Sequence, residues 1–179
     1  MKDKSDILGR IQTVKNNYAL AQAGIALLAL PDARVRLEEI FSLLDEHPEA
    51  QAIRYIEYIF EDDDLLKWAT GQFRNAVLRN CMKELFEQVK LFGEETDQMK
   101  VIESAPWYQF LRIIRNCLSH DMKLQLRSYE LKHLPTSWSG LTIESSMQGS
   151  YLPMRGFLGR EKALELVDAV ADYVKTECS

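Results

Sequence analysis

The chain has 179 residues, 46% of them hydrophobic and 27% charged, with a net charge of −5. That balance belongs to a globular protein long enough to bury a core, and it excludes collagen-like, disordered and disulfide-built classes. No run of 18 apolar residues occurs, and the start Met1-Lys2-Asp3-Lys4-Ser5-Asp6 has no apolar signal core. A cytoplasmic protein with no membrane partner is therefore expected.

The mean charge hides a split. From Glu38 to Asp64 there are ten acids and one base, Arg54; from Ser104 to His133 there are five bases and two acids. A polyanion would find only the second region approachable. Three cysteines make an odd number without a C-x-x-C pair. Cys81 and Cys117 fall on apolar helical faces and read as core thiols, while Cys178 falls in the terminal tail.

In chain order, Ile7, Ile11, Val14, Tyr18, Ala21, Ile25 and Leu28 recur at spacings of three and four. They predict a long first helix whose narrow seam faces either its own bundle or a second copy. Pro31 ends it and can open the next helix. Leu37, Ile40, Phe41 and Leu44 then give a short amphipathic helix, and His47 reads as a solvated loop histidine. Pro48 opens a third, with Ala52, Ile53, Ile56, Ile59 and Phe60 inward. Asp62-Asp63-Asp64 precedes a fourth helix and reads as its N-terminal cap in preference to a metal site. That fourth helix keeps period through Leu66, Ala69, Phe73, Val77 (or Ala76), Cys81, Leu85, Val89 and Phe92, and Gly93 is expected to end it. A polar connection from Glu94 to Ile102 follows, with Ser104 capping the next helix.

That next helix runs Pro106-Trp107-Tyr108-Gln109-Phe110-Leu111-Arg112-Ile113-Ile114-Arg115-Asn116-Cys117-Leu118-Ser119-His120. At about 100° per residue, Trp107, Phe110, Leu111, Ile114, Cys117 and Leu118 share one face. Gln109, Arg112, Arg115, Asn116, Ser119 and His120 share the other, which carries no carboxylate. Such a stripe suits an anion better than plain solvent. Beyond it, Met122, Leu124 and Leu126 alternate with Lys123, Gln125 and Arg127, a strand-like pattern. Residues 133–140 read as loop, His133 as a free polar group within it, and residues 141–145 and 150–154 as a small hairpin around Gln148-Gly149. Ala163, Leu166, Val167, Val170, Tyr173 and Val174 make a closing helix from about Gly159 to Thr176. The fold class expected is all-α: an antiparallel helical bundle with a small hairpin or loop insertion, about residues 122–158, before the last helix. With no repeat or linker, residues 1–179 read as a single domain.

Phosphate loops, dinucleotide fingerprints, H-E-x-x-H and G-x-S-x-G are all missing from the sequence. The three histidines are far apart and the cysteines unpaired, so no metal and no cofactor are expected. The chemistry that remains is Arg115-Asn116-Cys117-Leu118-Ser119-His120. Asn116 and His120 are four apart and can meet, the amide orienting the ring. Arg115 and His120 are five apart, about 140° around the helix and about 7.5 Å along it. One helix presents that pair poorly to a single atom, and a two-fold related copy would improve it. If the motif is catalytic, a homodimer with a composite site is therefore expected. A histidine can move a proton to or from RNA oxygens near neutral pH. A guanidinium can hold a phosphate bidentately and stabilise charge developing on it.

Residues Arg115-Asn116 through His120 resemble the R-[ND]-x3-H signature of HEPN domains, and the flanking elements agree with that family's order. The resemblance spans roughly residues 8–174, with six motif positions. It implies a HEPN-like bundle and a metal-independent endoribonuclease acting on RNA as a homodimer, as a toxin or in phage defence. By the same resemblance Arg115 and His120 are the catalytic pair and Asn116 the catalytic-site positioner; the carboxylate-free stripe adds Arg112, Ser119 and Lys123 as expected RNA phosphate contacts. A cognate antitoxin or nucleotidyltransferase partner is implied too, although Met122 stands where some relatives carry a modifiable Tyr. Other HEPN members are non-catalytic binding or regulatory modules, and that alternative stays open. So does the plainer one, in which Arg115 is a surface residue and His120 a helix C-cap.

Overall fold

The computed structural model describes residues 3–43, 57–119, 122–152 and 157–179. Its elements in order are α1 (Lys4–Leu28), α2 (Ala33–Leu43), α3 (Glu57–Phe60), α4 (Asp63–Glu95), α5 (Met99–Ser104), α6 (Tyr108–Ser119) and α7 (Ser128–Leu131). A two-stranded antiparallel sheet follows, β1 (Thr136–Trp138) and β2 (Leu141–Ile143), and then the closing helix α8 (Arg160–Glu177). The fold is mostly helical with a small hairpin before the last helix, the class the sequence indicates. Backbone contacts group the chain into two compact units, Met1–Tyr18 with Leu78–Ser179, and Ala19–Val77.

The first unit holds the motif helix. Ile7, Ile11, Val14 and Tyr18 of α1 are buried within the chain, which favours a bundle role for that seam over a dimer role. Cys81, Leu85, Val89 and Phe92 of α4 are buried as their period requires, with Met82 completely enclosed beside them. Ala163, Leu166, Val167, Val170 and Val174 of α8 also face inward. The predicted apolar face of α6 is buried in full: Trp107, Phe110, Leu111, Ile114, Cys117 and Leu118 are each at most 1% exposed. Trp107 meets Tyr173 of α8 edge to face at 5.8 Å, and Phe110 meets Trp138 of β1 at 5.8 Å. Aromatic contacts thus hold α6 between the closing helix and the hairpin.

Several boundaries differ from expectation for local reasons. Gly93 does not end α4, which runs two residues further. A Cβ there would lie 3.2 Å from the Met99 Cα, so the glycine permits a close approach of α5. The reversal falls instead at Asp97, whose φ of 57° is left-handed, followed by α5 where a polar connection was expected. Ser104 closes α5, its hydroxyl bonding the Val101 carbonyl at 2.8 Å, and does not cap α6. Asp62 does cap α4, with Oδ1 accepting from the Asp64 and Leu65 amides at 2.8 and 3.1 Å.

The hairpin sits earlier than the sequence suggests. Its strands are joined by Ser139-Gly140, both with positive φ, a two-residue turn that suits the twist of paired strands. The expected alternation after α6 does occur: Leu124 and Leu126 are buried while Gln125 and Arg127 are exposed. The backbone of Met122 and Leu124 pairs with Ser150–Leu152. Cys178 is buried, unlike a free tail residue, so all three thiols are enclosed.

In the second unit, Ile25 and Ala33 are buried, whereas Ile40, expected inward on α2, is 43% exposed. The readings for Leu44, His47, Ala52, Ile53 and Ile56 fall outside the described residues.

Candidate functional site

The polar side of α6 meets carboxylates brought by other elements. Arg115 is half-buried; its Nη2 donates to Glu87 Oε1 on α4, and its Nη1 donates to Asn116 Oδ1 at 2.9 Å. The Asn116 amide nitrogen donates to Glu130 Oε1 on α7 at 2.5 Å. These partners fix which way the amide points, since a guanidinium can only donate and a carboxylate accepts. Glu130 is 2% exposed, and its other oxygen accepts the Arg127 amide at 2.6 Å, closing the first turn of α7. A continuous chain results, from Arg127 through Glu130, Asn116 and Arg115 to Glu87. The stripe that looks carboxylate-free along one helix is therefore answered twice by the fold.

Beside this chain lies an open cleft of about 360 Å³. Phe86, Tyr108, Arg112, Arg115, Asn116 and Arg127 line it, together with Lys90, Glu87, Glu94 and Glu103. Four bases against three acids leave a small positive excess. The Arg115 guanidinium carbon lies 5.6 Å from the centre of the Phe86 ring, which limits its hydration on that side. Burial, then the Glu103 charge, push the Tyr108 phenol above its ordinary range, so it stays protonated at neutral pH.

The expected residues divide as follows. Arg112, Arg115 and Asn116 come together at the cleft. His120 lies outside the described residues. Ser119 is exposed and its hydroxyl donates to the Arg115 carbonyl at 2.9 Å, the back-bond of a helical serine. Lys123 is not among the cleft residues; its Nζ stands 4.9 Å from the centre of the Tyr151 ring. His133, read as a free polar group, packs on Tyr129 with ring centres 4.7 Å apart.

The residues missed were Glu87, Arg127 and Glu130. Glu130 is the third residue of a four-residue helix, and a buried acid in so short an element carries no periodic signal. The thiols are not candidates for chemistry: burial raises Cys81 to about 12 and Cys117 to about 11. Among the described residues, no three His, Cys, Asp or Glu side chains gather as metal ligands would. No family model, curated protein or solved structure matches the chain.

Proposed function

We propose that this chain is a metal-independent endoribonuclease of the HEPN type, working as a homodimer in a toxin or phage-defence role. The observation that carries the reading is the guanidinium of Arg115, held on two sides by Glu87 and Asn116 at a cleft that Arg112 and Arg127 also line. A fixed guanidinium loses little freedom on meeting a phosphate and stabilises the charge that grows in the transition state.

In the proposed reaction the RNA 2′-oxygen attacks the adjacent phosphorus and the bond to the 5′-oxygen breaks. One imidazole takes the 2′-hydroxyl proton, and a second protonates the departing 5′-oxygen. His120 from each of two copies supplies the pair, which is why the site is composite. The products are a 2′,3′-cyclic phosphate and a 5′-hydroxyl. Glu87 and Asn116 act here as positioning residues.

Incubation of single-stranded RNA in EDTA, followed by analysis of the new ends, tests this. Wild-type protein should leave cyclic phosphates, and His120→Ala should abolish cutting. Undiminished cleavage by His120→Ala would refute the assignment.

A second reading, a non-catalytic helical binding module, is favoured by the closure of the same network. Glu87 and Glu130 already answer Arg115 and Asn116 without any ligand. Wild-type protein that binds RNA yet never cuts it would establish that reading.

A further inference from the structure

The insertion between α6 and α8 carries two exposed tyrosines, and each is paired with a cation. The Arg112 guanidinium carbon lies 4.1 Å from the centre of the Tyr129 ring, and Lys123 Nζ lies 4.9 Å from that of Tyr151. Tyr129 is 44% exposed and Tyr151 63%, so both rings keep surface open to a further partner. The His133 ring lies beside Tyr129, tilted by 51° with ring centres 4.7 Å apart. Arg112 also lines the cleft that holds Arg115, so the Arg112–Tyr129 pair begins where the phosphate would sit.

Charge on this stretch points one way. From Met122 to His133 the bases are Lys123, Arg127 and Lys132, and the one acid, Glu130, is buried against Asn116. The same bond ties α7 to α6, so Tyr129 is presented from a fixed support. Lys123 and Tyr151 are held together by an antiparallel backbone bridge. Exposed aromatic rings alternating with basic side chains are what unpaired nucleic acid needs: rings stack on bases, and cations follow the phosphates. A duplex keeps its bases stacked on one another and offers such rings nothing.

We propose that residues 122–152 carry the single-stranded RNA-binding surface of this protein, with bases stacked on Tyr129 and Tyr151. It rests on the nuclease reading for its biological sense, but not for its test. The probe is a fluorescein-labelled 2′-O-methyl oligouridylate of eight residues, which cannot be cut by 2′-hydroxyl attack, titrated with full-length protein by anisotropy.

Tyr129→Ala and Tyr151→Ala should each weaken binding by about five- to a hundredfold. Tyr129→Phe should restore it to within about twofold, because stacking needs the ring and not the hydroxyl. Lys123→Gln should lower the slope of log K against log salt by about 0.7. Unlabelled duplex RNA should fail to compete.

Wild-type affinity in both alanine variants, or equal competition by duplex, overturns the proposal. Protein that cuts RNA with both tyrosines dispensable loses this surface alone. Protein that binds through the tyrosines and never cuts loses the nuclease alone.

Discussion

The stretch Ala19–Val77 and the rest of the chain are written with the same helical period and are used differently. Along α4, Cys81, Leu85, Val89 and Phe92 are sealed, whereas Phe73, two turns before Cys81, is 49% exposed. Along α1 the seam is buried at Ile7, Ile11, Val14, Tyr18 and Ile25, whereas Leu20 and Leu27, which lie off it, are 75% and 62% exposed. Leu30, Val35, Ile40, Tyr58 and Trp68 add to the exposed set of the same unit. A hydrophobic period states which face a helix would bury, and only the neighbouring elements decide whether it does. The motif helix lies on the sealed side of this division, where packing from α4, α8 and the hairpin can hold side chains in place.

Core truncation should show the contrast most strongly. Leu111→Ala, at a fully enclosed position, should cost about 2–5 kcal/mol in urea unfolding, whereas Phe73→Ala should cost well under half of that. Equal losses would mean that the exposed stretch is packed in solution and the comparison fails. Next comes the polar network. Glu130→Ala leaves the Asn116 amide and the Arg127 N–H without their buried partner and should cost about 1–3 kcal/mol. Glu87→Ala breaks a partly exposed pair, with 28% of the Arg115 and 42% of the Glu87 side chain open to solvent, and should cost about 1 kcal/mol or less. The reverse order would remove Glu130 from the centre of the site.

The buried thiols give the smallest effect near neutral pH. Their folded pKa values lie above the ordinary 9.0, at about 12 for Cys81 and about 11 for Cys117. The unfolded chain therefore loses these protons first as pH rises. Stability should be unaffected well below pH 9.0, then fall by about 1.4 kcal/mol per pH unit per thiol up to the folded values. Cys117→Ala should make that alkaline slope shallower, as read by denaturant midpoints at pH 8 and pH 10.5.

Much of this architecture could be read from residue order. The sealed face of α6, the Asp62 cap and the inward face of α8 all follow from period and end chemistry, which act within a few residues. The turn at Ser139-Gly140 is hidden because serine does not announce a positive φ, so the residue pattern places the hairpin about ten residues later. Gly93 looks like a helix stop in the sequence, but its reason lies in the approach of Met99, a contact that period cannot express. The candidate site was half legible. Arg115 and Asn116 stand out within one helix, but their partners come from 28 residues before and 14 residues after, on separate elements. Only folding reveals that a stripe without carboxylates is bordered by two of them.

A DNA oligonucleotide containing one ribonucleotide, incubated in EDTA with wild-type and Arg115→Ala protein, tests the central claim most directly. The account expects a single cut on the 3′ side of the ribonucleotide, a 2′,3′-cyclic phosphate at the new end, and at least a hundredfold slower cutting by Arg115→Ala. Cutting at deoxynucleotides, or equal rates for the two proteins, would contradict it.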